Sequence, residues 1–228
     1  NIEVKVSNLV TRITYPVLTD IEMDYGKVDT YEVLPRELPD LFKGGQLVLT
    51  GRFRNAGGTT LKLKGKVQEQ WKEFEYPAQS FTSSSTQFDF LPRIWASRKI
   101  GFLLDEIRLK GNNPELVQEV VRLSKKYGVI TEYTSYLVRE DVDIKRTDRG
   151  LADEATKSLE EKIDQDKGSH AISQNRNIQE MQQQANAPAN AYYNEEGEQE
   201  QITQVKYVAQ RAFYNKKGVW QDSSFNEQ

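Results

Sequence analysis

The chain has 228 residues, enough for one large domain or two small ones, and its hydrophobic fraction of 37% lies below the ~45–50% of ordinary globular chains, so a modest core with some loosely packed sequence is expected. The net charge is −3 with both signs interspersed, which excludes the concentrated basic footprint with which a nucleic-acid binder displaces counterions. Cysteine is absent, so disulfides, thiolate metal sites and cysteine nucleophiles are excluded, and no apolar run approaches the ~18 residues of a membrane span.

Asn1 in place of a methionine predicts a fragment or a processed chain, without a signal-peptide core of its own. Residues 1–90 read as strands. Ile2, Val4 and Val6 alternate with Glu3, Lys5 and Ser7, and Ile21, Met23 and Tyr25 alternate with Glu22 and Asp24. Leu47, Leu49, Gly51 and Phe53 share a face. Leu61, Leu63, Gly65 and Val67, opposed by Lys62, Lys64 and Lys66, make the clearest half-buried strand. Phe74/Tyr76 and Phe88/Phe90 add two aromatic pairs. Period-two alternation puts one set of side chains in a core and the other in water, as in an antiparallel sheet. Asn55-Ala56-Gly57-Gly58 supplies residues suited to a hairpin turn, and the spacing of these strands predicts a β-sandwich.

The period then changes to 3.6. Trp95, Ile100, Leu103, Leu104 and Ile107 form one face of a helix over 92–110, with Gly111 just past its end. A second helix is better punctuated. Asn113 caps it, Pro114 takes the first helical position, Glu115 complements the dipole and Gly128 follows Lys125 and Lys126 of the last turn. Val129 to Val138, β-branched and aromatic, reads as a returning strand. Beyond Arg139, Leu151, Ala155, Leu159 and Ile163 give a thin stripe on a charged helix, and Ala171, Ile178, Met181 and Ala185 give another on a Gln/Asn-rich helix. Residues 185–201 are acidic and of low complexity and read as a linker, with replacements between Pro188 and Glu200 expected to be nearly silent. A small hairpin turns at Lys216-Lys217-Gly218 between Phe213/Tyr214 and Val219/Trp220.

Three stretches carry a resemblance. They are PVLTDIEMDYG (16–26) with LPRELPDLFKGGQLVLTGRFRNAG (34–57), LPRIWASRKIGFLLDEIRLKGNNPELVQEVVRLSKKYGVITEYTSYLVRED (91–141), and VKYVAQRAFYNKKGVWQDSSF (205–225). Together they are similar to the region downstream of the von Willebrand A domain in bacterial proteins that pair it with a VIT domain, the architecture of the inter-alpha-trypsin inhibitor heavy chains. The resemblance implies a β-sandwich scaffold, a periplasmic or cell-surface setting and metal-dependent adhesion confined to the A domain. The Asp-x-Ser-x-Ser metal motif of that domain is absent. Asp222-Ser223-Ser224 has the wrong spacing.

The residues themselves offer few chemical candidates. His170 is the only histidine and stands at a helix start in a polar stretch, where a surface role is favoured over general-base chemistry. Asp20, Glu22, Asp24, Asp105 and Glu106 read as solvated faces rather than a glycosidase-like pair. Asp20, Asp24 and Asp29, and likewise Asp141, Asp143 and Asp148, cluster without EF-hand spacing. Gly44-Gly45 and Gly57-Gly58 lack the phosphate-loop frame. The segment from Leu34-Pro35 to Gly45 reads as a constrained loop whose Leu41 and Phe42 close the sandwich. Trp95 is expected to pack the helices on that sandwich, with Arg98 and Lys99 neutralising nearby acids. Tyr133 and Tyr136 form a candidate carbohydrate platform.

The expected fold class is α+β: an antiparallel β-sandwich of hybrid type (1–90), a two-helix hairpin with a returning strand (91–145), polar peripheral helices and linker (146–204) and a short β-ribbon (205–228). No catalytic, cofactor-binding or metal-ligating residue is assigned, and no cofactor is expected. The expected function is a non-catalytic scaffold whose partner is an adjacent von Willebrand A domain, with no nucleic acid and no membrane insertion. A carbohydrate-binding module of the cell envelope is the alternative.

Overall fold

The computed structural model describes residues 16–83, 88–111, 113–131, 133–163, 168–186, 190–194 and 196–224. The strand expected over Ile2–Val6 lies outside them. Helices and antiparallel sheets coexist, so the class is α+β. The chain divides into two compact units, Asn1–Ser85 and Thr86–Gln228.

Among its described residues the first unit contains six strands: β1 (Pro16–Asp24), β2 (Thr30–Leu34), β3 (Leu41–Phe42), β4 (Thr50–Phe53), β5 (Gly57–Val67) and β6 (Gln70–Phe81). They form a four-stranded sheet of order β3-β1-β5-β6 and a separate β2-β4 pair. Alternation predicts β5 well, with Leu61 and Leu63 half-buried and Gly65 buried on one face while the lysines face the other. At Gly65 a Cβ would stand 2.7 Å from the Leu18 side chain, so the absent side chain lets β1 pack closely. Parity along β1 is broken: Leu18 and Ile21 are both buried although three residues apart. A register shift between Thr19 and Glu22, with Asp20 at φ 48°, turns both toward the core, the local twist that a β-bulge produces.

Two turns differ from expectation. The Asn55–Gly58 stretch makes no hairpin, because β4 pairs with β2 while β5 pairs with β1 and β6. Asn55 instead clamps the β1–β2 connection, accepting from the Asp29 N–H at 2.7 Å and donating to the Lys27 carbonyl at 2.9 Å. The hairpin turn of this unit lies at Gln68-Glu69, both left-handed at φ 49° and 65°, the pair of positive φ values that matches strand twist. Leu41 and Phe42 form a short margin strand on β1 rather than a loop plug. Phe88 and Phe90 belong to a turn before a helix, not to a strand.

The second unit contains helices α1 (Leu91–Lys110), α2 (Pro114–Tyr127), α3 (Asp148–Ile163) and α4 (Gly168–Gln182) with a 3-10 turn at Ser135–Val138, and strands β7 (Ala191–Tyr193), β8 (Gln199–Gln201), β9 (Val205–Val208), β10 (Arg211–Lys216) and β11 (Val219–Asp222). α1 packs on both α2 and α4, and α2 also meets α3 and β10. Burial of α1 on two sides explains why Trp95, Ala96, Ser97 and Arg98 are consecutively buried. Gly101 permits the approach of α4, since a Cβ there would lie 2.9 Å from the Met181 Cβ. The punctuation of α2 is as expected. Asn113 accepts from the N–H groups of Glu115 and Leu116, Pro114 opens the helix, and left-handed Gly128 closes it with its N–H on the Ser124 carbonyl.

The returning strand expected over 129–138 is a buried loop leading into the 3-10 turn. Thr131 and Thr134 account for it. The Thr131 N–H donates to Thr134 Oγ1 at 2.9 Å and the Thr134 N–H to Thr131 Oγ1 at 3.2 Å, with the two hydroxyls 3.0 Å apart. Side-chain oxygens thus satisfy the amides that a sheet ladder would otherwise hold. On α4, Ala171 is exposed and the buried stripe is Ser173, Gln174, Asn177 and Ile178. Leu151 and Ala155 are buried on α3, whereas the Leu159 and Ile163 side chains lie outside the described residues. The expected linker contains the paired strands β7 and β8. The predicted C-terminal hairpin is present as β10–β11, turning at Lys217-Gly218, with β9 as a third strand.

Candidate functional site

Most of the acidic residues read from the sequence have a partner of their own rather than being brought together, and Glu22 is exposed. Asp20 pairs with Lys66 at 2.8 Å, Asp29 with Arg54 at 2.7 Å, Asp141 with Arg139 and Asp148 with Lys125. Asp24 and Asp143 accept backbone N–H groups two residues on. Asp105 and Glu106 pair with Arg108 and Lys110 along α1. Among the described residues no group of three or more acids or histidines is arranged to hold a metal ion. His170 falls in the first turn of α4, and its side chain lies outside the described residues. Asp222 uses one carboxylate oxygen on Arg211 and the other on the Ser224 N–H.

The aromatic platform is not formed. Tyr133 and Tyr136 are both buried, and the Tyr136 hydroxyl donates to the Leu151 carbonyl at 2.6 Å. Burial raises the pKa of that phenol. A sugar-stacking surface needs exposed ring faces, which these residues lack. Trp95 packs edge-to-face on Tyr127, centroids 6.1 Å apart, within the second unit. Arg98 does not neutralise an acid: its guanidinium is buried and donates to the Gln184 carbonyl just beyond α4, and desolvation lowers its pKa. A cation there complements the negative end of the helix dipole.

Three polar nodes of the second unit escape sequence reasoning. Arg93 reaches from α1 to the Gly128 carbonyl at 3.1 Å and to Asn190 Oδ1, with Tyr207 beside its guanidinium. Lys216 is buried and its ammonium donates to the Leu137 carbonyl at 2.7 Å and to that of Arg139. Asn177 accepts from the Tyr193 N–H at 2.7 Å and donates to the Tyr193 carbonyl at 2.8 Å, pinning β7 to α4. Each is a polar side chain whose partner no spacing rule announces, so no pattern marks it. Arg93 and Lys216 join segments distant in sequence, and Asn177 ties α4 to the strand that follows it.

The first unit offers the more accessible surfaces. An open depression of about 580 Å³ is lined by both apolar residues, among them Ile21, Met23 and Tyr25, and charged ones, Asp20, Glu22, Arg36 and Glu37. Beyond it, β6 is the margin of the four-stranded sheet and is exposed over most of its length. One face of β5–β6 carries an ionic ladder in which Lys62 meets Glu75 at 2.7 Å and Glu73 at 3.1 Å, and Lys64 meets Glu73 at 3.4 Å. Hydrogen bonds that Lys62 donates to these two carboxylates, Glu75 foremost, hold its ammonium above its ordinary pKa. The other face carries Phe74 and Tyr76, 39% and 46% exposed. The side chains of this surface present a pattern of charge and shape but no reacting pair.

No family model matches the chain, and no solved structure matches it. Among described residues no helix is long and apolar enough to cross a membrane. The chain is 25% identical to human inter-alpha-trypsin inhibitor heavy chain H4 over 148 residues, covering 58% of this chain and 15% of that protein. It is 25% identical to rat inter-alpha-trypsin inhibitor heavy chain H3 over 204 residues, covering 85% and 21%. A von Willebrand factor A domain-containing protein of Dictyostelium discoideum is 25% identical over 151 residues, covering 60% and 17%. The chain therefore spans about a fifth or less of the length of these relatives. It is similar to inter-alpha-trypsin inhibitor heavy chains and to von Willebrand A domain proteins.

Proposed function

We propose that this chain is a non-catalytic scaffold and protein-interaction module that supports an adjacent von Willebrand A domain in an extracytoplasmic bacterial protein. The observation that carries the reading is the similarity to inter-alpha-trypsin inhibitor heavy chains and von Willebrand A domain proteins at 25% identity. Among the described residues no three acids or histidines are grouped to hold a metal ion, which agrees with it, because metal-assisted chemistry needs groups that converge on one point. In this reading residues 1–90 supply a hybrid-type sandwich region and residues 91–145 a helical hairpin. Residues 146–204 wrap it peripherally, and 205–228 close it with a ribbon. Ligand chemistry then belongs to the A domain.

Calorimetric titration of the purified chain with the A domain of its own polypeptide tests this. Saturable binding that leaves both partners folded is the expected result. A full-length product without an A domain sinks the reading, as does a stoichiometric Mg²⁺ site within this chain alone.

A further inference from the structure

The outer edge of β6 has no strand against it among the described residues. Every second residue of a margin strand turns its N–H and C=O outward, and folded proteins commonly block such edges. Here the block covers only part of the strand. Pro77, which has no N–H, and Ala78, left-handed at φ 56°, interrupt the edge where the β5 register shifts. From Gln70 to Tyr76 the pairing runs without a shift, Val67 opposite Gln70 through Leu61 opposite Tyr76.

The side chains of that regular stretch specify a partner. On its inner side β6 already binds one strand, β5, in which Lys62 and Lys64 stand opposite Glu75 and Glu73 while Leu63 and Leu61 stand opposite Phe74 and Tyr76. The outer side presents the same alternation, because a strand's side chains project above and below the sheet and serve neighbours on both edges. Glu75 remains accessible, with its side chain 56% exposed, and the two aromatic rings are partly uncovered.

We propose that the Gln70–Tyr76 edge is a docking site for an extended protein segment in which Lys or Arg alternates with aliphatic residues, bound by strand addition. Main-chain bonds to the edge supply attachment, as in other β-augmentation complexes. Glu73 and Glu75 on one face and Phe74 and Tyr76 on the other select the pattern. The proposal stands apart from the A-domain reading, since it rests on β6 alone.

The probe is a synthetic peptide of sequence Leu-Lys-Leu-Lys-Gly-Lys-Val, the pattern of β5, titrated into the 228-residue chain by calorimetry. Saturable binding is expected, weakened roughly tenfold when the peptide lysines are replaced by glutamate or when Glu75→Lys is introduced. A peptide N-methylated at alternate residues keeps its side chains but cannot join a ladder, and should not bind. Equal binding of the acidic peptide, retained binding of the methylated one, or no binding at all overturns the proposal. Concentration-dependent dimerisation of the protein that Glu75→Lys abolishes overturns it too, by making a second copy the occupant.

Discussion

The Tyr214 hydroxyl donates to the carbonyls of Ser124 at 3.0 Å and Lys125 at 3.1 Å, so a fully buried phenol on β10 closes the last turn of α2. Helix ends leave carbonyls without intrahelical donors, and this strand supplies one from the far end of the chain. Tyr214→Phe keeps the ring and removes the donor, and should cost about 1–2 kcal/mol in urea denaturation.

The same burial sets a pH dependence. Desolvation raises the phenol pKa of Tyr214 and Tyr136, and Tyr207 is pushed up to about 12. The folded state keeps these protons after the unfolded chain has released its own near pH ~10. Unfolding then releases protons, so stability falls as pH rises from about 10 toward the folded-state values. Urea midpoints measured across the alkaline range should drop, and the drop should be smaller in Tyr214→Phe. A flat profile would show that these rings are already ionised in the folded protein.

Trp95→Ala removes a buried ring from the contact with Tyr127 and should cost about 3–5 kcal/mol. The loss is read from the denaturation midpoint followed by helical circular dichroism. An unchanged midpoint contradicts the burial.

Gly128→Ala tests the junction of α2 with the C-terminal sheet. The residue is left-handed at φ 62°, and a Cβ would lie 2.8 Å from Val205 Cγ1 and 3.3 Å from the Ala212 Cβ. Left-handed strain of about 1 kcal/mol and overpacking of about 1–3 kcal/mol act in the same direction. The urea midpoint of the variant should fall accordingly below that of the parent chain.

Asn177→Ala removes both bonds to the Tyr193 backbone and should cost about 1–3 kcal/mol. Hydrogen exchange at the Tyr193 amide is the specific readout, and it should lose protection. Changes around residues 191–200 are therefore not all silent: Tyr192 also donates to Glu200, and Asn194 accepts from the Glu196 and Glu198 amides.

Gln68→Asn with Glu69→Gly places the residues best suited to two left-handed φ values at the β5–β6 turn. A gain of about 0.5–1 kcal/mol is expected, visible as slower amide exchange in β5.

The original Gln-Glu pair also shows where sequence reading stops. Alternation reveals β5, and Asn113, Pro114 and Gly128 reveal α2, because those signals are local: side-chain parity in one case and terminal N–H groups in the other. The turn at Gln68-Glu69 carries no glycine or asparagine, so its φ values come from the pairing of two long strands. The bulge at Asp20 is equally silent, and it decides which face of β1 is inside. Between Val129 and Tyr136 the composition favours a strand, but Thr131 and Thr134 satisfy each other's amides and close a turn. The acids could be read as solvated from their alternation and helix position. The β6 edge could not be recognised as a margin, since strand order depends on contacts that no short window contains.

Lys216 has a consequence for the order in which this polypeptide gains structure. Its ammonium supports the carbonyl of Leu137, 79 residues upstream, and the 3-10 turn there has no ladder of its own. During synthesis that turn emerges long before Lys216, and until β10 leaves the ribosome the Leu137 carbonyl lacks this donor. Replacing Lys216 would thus unsettle a turn 79 residues away in sequence, although nothing around that turn is changed.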